Sequence, residues 1–129
     1  MRFEHLALNV ADPRAMAAWY RQHLGLSSVV SQDAPPFAQF LRADCGMMVE
    51  LYHNPDAPCP DPHQRSPAEL HLALVSDDAE ADAARLTSAG ATLVEWVRPD
   101  DGSHIAMLRD PWGIAWQLCQ RAPGWPGAS

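Results

Sequence analysis

A chain of 129 residues, 47% hydrophobic and 19% charged, has the size and balance of one compact domain with its own core, not of a disordered segment. Sixteen acidic residues against nine basic ones give a net charge of −7, and no basic cluster forms, so the phosphate backbone of a nucleic acid is excluded as a partner. No stretch reaches the roughly 20 apolar residues of a membrane span, and the opening MRFEHLALNV has neither the apolar region nor the cleavage site of a secretory signal; a cytoplasmic protein without membrane contact is expected.

In chain order, residues 3–10 read as a strand. Asp12 then caps a helix that has Pro13 in its first turn, an apolar stripe of Met16, Trp19, Tyr20 and His23 or Leu24, and Gly25 as its stop. Strands follow at about 26–31, 38–42 and 47–52. Residues 54–68 carry five prolines, which bars a helix or a central strand, and predict an extended linker. Residues 69–75 read as the next strand. Asp77-x-x-Glu80 resembles a capping box for a helix with Ala79, Ala83 and Leu86 on one side and Gly90 at its end. Strands near 92–97, 104–108 and 114–119 complete the chain, and residues 121–129 form a tail. Cys45, Cys59 and Cys119 are odd in number and lack CxxC spacing, so reduced thiols are expected.

Self-similarity organises these elements. His5-Leu6-Ala7-Leu8 recurs as His71-Leu72-Ala73-Leu74, the helix stops Gly25 and Gly90 keep the register, and Glu50-Leu51 aligns with Gln117-Leu118. The fold expected is α+β, two tandem βαβββ modules within one domain: residues 1–53, the linker 54–68, and residues 69–120.

Alternate side chains of a strand point to opposite faces. Leu6, Leu8, Val49, Leu51, Leu72, Leu74, Trp116 and Leu118 fall on one parity, which should lie under the helices. The other parity holds His5, Glu50, His71 and Gln117, with Ala7, Met48, Ala73, Ala115 and Cys119 beside them. An unpaired carboxylate there would be costly, and a divalent cation is one of the few partners that satisfies a Glu, two neutral imidazoles and an amide oxygen together. A hydrogen-bonded pocket without metal is the plainer alternative. Trp96 and His104 are further candidates for the pocket wall. Arg42, Arg98 and Arg109 are candidate anchors for a carboxylate or phosphate tail, although a surface role is the commoner fate of arginine.

Taken together, MRFEHLALNV, DPRAMAAWYRQHLGL, GMMVELY, ELHLALVSDD and RDPWGIAWQL resemble the vicinal oxygen chelate superfamily, which includes glyoxalase I, bleomycin-resistance proteins and extradiol dioxygenases. The resemblance implies a curved mixed-sheet cleft with metal ligands at His5, Glu50, His71 and Gln117. It implies one divalent ion (Zn, Ni, Co, Mn or Fe) and a metal-dependent lyase or isomerase that acts on vicinal oxygens through a stabilised enediolate, with Glu50 as general base. Gln117 stands where several of these enzymes have Glu, leaving a net charge of about +1 that favours an anionic oxygen substrate. A metal-free binder of an aromatic or antibiotic-like molecule, as in bleomycin resistance, is the alternative. An iron(II) extradiol-type dioxygenase is a second one, in which Gln117 must replace a carboxylate. A homodimer is also implied, each chain completing its own cleft or exchanging modules with its partner.

Overall fold

A computed structural model of the chain describes residues 1–127; the last two residues of the expected tail, 128 and 129, lie outside the described residues. The chain divides into two compact units, Met1–Pro60 and Asp61–Ser129, so their boundary falls inside the expected linker.

In the first unit β1 (His5–Asn9) leads to α1 (Pro13–His23), then β2 (Ser27–Ser31), β3 (Gln39–Arg42) and β4 (Met48–Tyr52). The second has β5 (Leu72–Val75), α2 (Ala79–Ser88), β6 (Thr92–Val97), β7 (His104–Arg109) and β8 (Ala115–Gln120). Each unit is βαβββ and forms a four-stranded mixed sheet, in the orders β1-β4-β3-β2 and β5-β8-β7-β6. The first and last strands of each unit pair in parallel, and the others are antiparallel. The fold is α+β, as the duplicated sequence indicates.

Helix α1 begins where the Asp12 carboxylate accepts the Ala15 N–H at 3.1 Å. It buries Pro13, Met16, Ala17 and Tyr20. Trp19, expected in the buried stripe, is only half-buried and lies against Tyr20 and His23 with ring centroids 6.1 and 5.0 Å apart. Ala17 takes the inward position beside Met16 and Tyr20. Helix α2 buries Ala79, Ala83 and Leu86, the side expected. Its cap lies one residue later than the box reading: Asp78, not Asp77, accepts the Ala81 N–H at 3.0 Å. The 3-residue spacing from Asp78 to Ala81 is what an N-cap carboxylate reaches.

The expected linker is less free than its prolines suggest. The Asn9 amide donates to the carbonyls of Asn54, Ala57 and Pro58, and Pro62–Gln64 makes a turn of 3₁₀ helix. The strand expected from residue 69 starts only at Leu72, because Glu69 N–H bonds back to the Ser66 carbonyl and Ala68 N–H to the Ser66 hydroxyl. His71 therefore stands one residue outside β5. Among the described residues, no helix is long and apolar enough to cross a membrane.

Candidate metal and substrate site

Strand register decides which side chains meet. In the first unit His5 is opposite Met48, Ala7 opposite Glu50, and Phe40 opposite Glu50 from the other side, so these share one face. Leu6, Val49 and Leu41 take the other face, which α1 covers. The second unit repeats the scheme: Ala73 is opposite Gln117, Met107 also pairs with Gln117, and Ala115 and Cys119 fall on the same side. Leu72, Trp116 and Leu108 line the face that packs on α2. The two parities read from the sequence are thus the two faces of each sheet.

On the open face of the first sheet, His5 Nδ1 is 2.5 Å from Glu4 Oε2, and His5 Nε2 is 3.4 Å from Glu50 Oε2. An ionised carboxylate only accepts, so the contact with Glu4 places a hydrogen on Nδ1 and turns Nε2 toward Glu50. Nε2 in turn faces a carboxylate oxygen, a contact satisfied either by a second proton on the ring or by a cation held between the two groups. The pair is partly sheltered, with Glu50 20% exposed and His5 32%. Phe40 closes one side by an edge-on contact with the imidazole, centroids 5.4 Å apart.

In the second unit His71 Nδ1 lies 2.8 Å from the Pro67 carbonyl. A carbonyl cannot donate, so Nδ1 carries the hydrogen, and Nε2 has no hydrogen-bond partner among the described residues. Gln117 is half-buried, and the Cys119 thiol donates to its Oε1 at 3.3 Å. Burial pushes the Cys119 thiol up from its usual value, with Arg121 partly opposing, so it is a neutral donor and not a nucleophile. All three cysteines are free thiols.

Two expected pocket residues fall on the wrong face. Trp96 is opposite Ala106 and His104 opposite Gln120, positions on the α2 side of the sheet. A register shift between Leu93 and Glu95 reverses the phase of β6 and could not be read from alternation alone. There the Arg98 guanidinium donates to Glu80 at 2.9 Å, lies 3.1 Å from His104 Nδ1, and sits 5.4 Å from the Trp96 ring centre. Arg98 is thereby an outer-face residue. Arg109 is no ligand anchor either: it donates to the carbonyls of Pro62, Arg65 and Gly113.

Glu4 is the contributor the sequence reading missed. Neighbours along a strand point apart, which discourages pairing Glu4 with His5, but Glu4 precedes β1 and its side chain is not bound by that rule. Among the described residues no three His, Cys, Asp or Glu side chains gather into one cluster.

The duplicated βαβββ units, each with a four-stranded mixed sheet, are those of the vicinal oxygen chelate class. The family model for a glyoxalase-like domain matches residues 5–119, and the chain belongs to that family. It is similar in structure to TnmS3, an antibiotic-binding protein from Streptomyces sp. CB03234, at TM-score 0.72 and 21% identity, over 95% of this chain and 97% of that one. It is also similar to a lactoylglutathione lyase from Agrobacterium tumefaciens, at TM-score 0.67 and 23% identity, covering 92% of both chains. A glyoxalase/bleomycin resistance protein/dioxygenase family enzyme from Burkholderia phytofirmans PsJN matches at TM-score 0.72 and 16% identity, over 91% of this chain and 96% of the other. At such identities the likeness concerns the fold. No curated protein sequence matches the chain.

Proposed function

We propose that this protein is a metal-dependent lyase or isomerase for a small substrate with vicinal oxygens, its ligands being His5, Glu50, His71 and Gln117. The observation that carries the reading is the state of the two imidazoles. Each turns Nδ1 to an acceptor, Glu4 or the Pro67 carbonyl, and leaves Nε2 as the nitrogen that could meet an ion, which is how metal-binding histidines are oriented. The donor chemistry fits a borderline divalent ion: two imidazole nitrogens, one carboxylate and one amide oxygen.

When bound, such an ion supplies Lewis-acid polarisation of the substrate oxygens. The chain's own part is proton transfer. Glu50 Oε2, the one carboxylate of the set, takes the proton from the carbon beside those oxygens and returns it to the neighbouring carbon. Phe40 and Met48 flank it on the same face and limit water there.

Elemental analysis of protein purified without chelator tests the reading. The expected result is one divalent ion per chain, lost in His5→Ala, together with Glu50→Gln protein that is folded but loses turnover at least about a hundredfold, the low end of general-base contributions. A site that stays empty at micromolar free Zn, Ni, Co, Mn and Fe overturns it. That result would favour the metal-free binding reading, which the likeness to the fold of an antibiotic-binding protein supports. Oxygen uptake with catechols would identify a dioxygenase.

A further inference from the structure

A groove of about 660 Å³ opens at the end of the first sheet, lined by Arg2, Phe3, Glu4, Arg42, Met47 and Met48 together with the turn Cys45-Gly46. Arg42 is opposite Met48, and Met48 opposite His5, so the three make one row across the sheet on the face of Glu50. Two strand spacings put the Arg42 backbone about 10 Å from that of His5.

The arginines of the chain are mostly engaged. Arg65, Arg85 and Arg98 are ion-paired, Arg14 and Arg121 lie over aromatic rings, and Arg109 is hydrogen-bonded to backbone. Arg2 and Arg42, like Arg21 on α1, have no side-chain partner among the described residues, and Glu4, the one acid of the groove, is taken by His5. In a chain of net charge −7, two uncompensated guanidinium groups on one groove are not explained by general surface charge.

The second unit shows what this position does when filled. Arg109 is opposite Ala115 as Arg42 is opposite Met48, and each ends the third strand of its unit. The Arg109 guanidinium donates to three carbonyl oxygens, those of Pro62 and Arg65 in one chain segment and that of Gly113. Among the described residues no carbonyl accepts from the Arg42 side chain in this way, and its groove is bordered by Phe3, Met47 and Met48.

We propose that this groove is an anion subsite, in which Arg42 with help from Arg2 receives the carboxylate or phosphate of a small molecule whose apolar body lies on Phe3, Met47 and Met48. A planar guanidinium binds either oxyanion through paired N–H bonds, so the shared chemistry is a flat or tetrahedral set of anionic oxygens. The bound molecule extends along the row toward His5 and Glu50. That orientation rests on the function proposed above; the subsite itself does not.

The test is a titration of chelator-treated protein with benzoate, phenyl phosphate and the neutral isostere benzamide, followed by the Arg side-chain and Met48 amide NMR signals. Benzoate or phenyl phosphate should shift the Arg42 Nε–H and Met48 signals and bind at least tenfold more tightly than benzamide. Arg42→Gln should lose at least tenfold of that affinity and Arg2→Gln about threefold, order-of-magnitude values for charge-assisted hydrogen bonds. Tighter binding of the phosphate identifies a phosphorylated ligand, and tighter binding of benzoate a carboxylate. Benzamide binding as well as benzoate, or unchanged anion affinity in Arg42→Gln, overturns the proposal. Because metal is removed throughout, failure of the metal reading leaves this outcome untouched.

Discussion

The turn between β3 and β4 and the turn between β7 and β8 occupy the same place in the two modules, yet one is open and the other packed. Gly46 has φ +92° and a Cβ added to it would meet nothing within 4 Å. Gly113 has φ +97°, and an added Cβ would fall 2.6 Å from His63 Nδ1 and 2.7 Å from the His63 backbone nitrogen. The segment around Pro62 presses on the second turn and satisfies Arg109; the first turn borders a groove with Arg42 unpaired. Duplication preserved the backbone and left the two ends to different uses, one structural and one available to a ligand.

Alanine at each turn gives the largest expected contrast. Gly113→Ala combines a left-handed backbone cost of about 1–2 kcal/mol with an overlap against backbone, and should destabilise by about 3 kcal/mol in total. Gly46→Ala carries the first cost alone. Denaturant unfolding of both variants measures the difference, and equal losses would refute the idea that only the second turn is closed by its neighbours.

The proposed ligands differ between modules in charge, Glu50 against Gln117, on matching register positions opposite Ala7 and Ala73. Gln117→Glu removes that difference. It should strengthen divalent-ion binding about tenfold, ~1.4 kcal/mol, as measured by competition with a metallochromic chelator. Unchanged affinity would mean that position 117 does not reach the ion.

How much of this was legible in advance follows from which constraints are local. Alternation along β1, β4, β5 and β8 identified both faces because those strands run without interruption. It failed for Trp96, where a single register shift inside β6 exchanges the faces, and for His104, whose side follows from pairing with Gln120. The caps of both helices lay near Asp residues that the sequence displays, with a one-residue error at Asp78 because Asp77 is an equally good capping residue. Contacts made by chain segments without periodicity, such as Glu4 on His5 and Pro67 on His71, leave no trace in any pattern. Those are the contacts that orient the two imidazoles of the candidate site.

The smallest expected effect separates the two helices. Helix α1 has no acidic residue in its first turn, whereas α2 has Glu80 and Asp82, and Asp82 accepts the hydroxyl of buried Ser76 at 2.7 Å. That bond, with Arg85 assisting against some desolvation, holds the Asp82 carboxyl below its usual value. A depressed folded-state value means that the stabilisation is present in full above the unfolded-state value, about pH 4, and is lost as pH falls through the folded one. Because the Asp82 side chain is 36% exposed, solvent screening limits the contribution to under about 1 kcal/mol. Asp82→Asn should therefore cost little at pH 7 and flatten the acid limb of the stability curve below pH 4, measured by urea unfolding from pH 2.5 to 7. Ser76→Ala should flatten the same limb, since removing the hydroxyl returns the carboxyl toward its ordinary value, while Asp12→Asn at the cap of α1 serves as the comparison in the other module. If Ser76→Ala leaves the acid limb as steep as in the parent chain, the Ser76 bond is not what ties α2 to the pH response of the second unit.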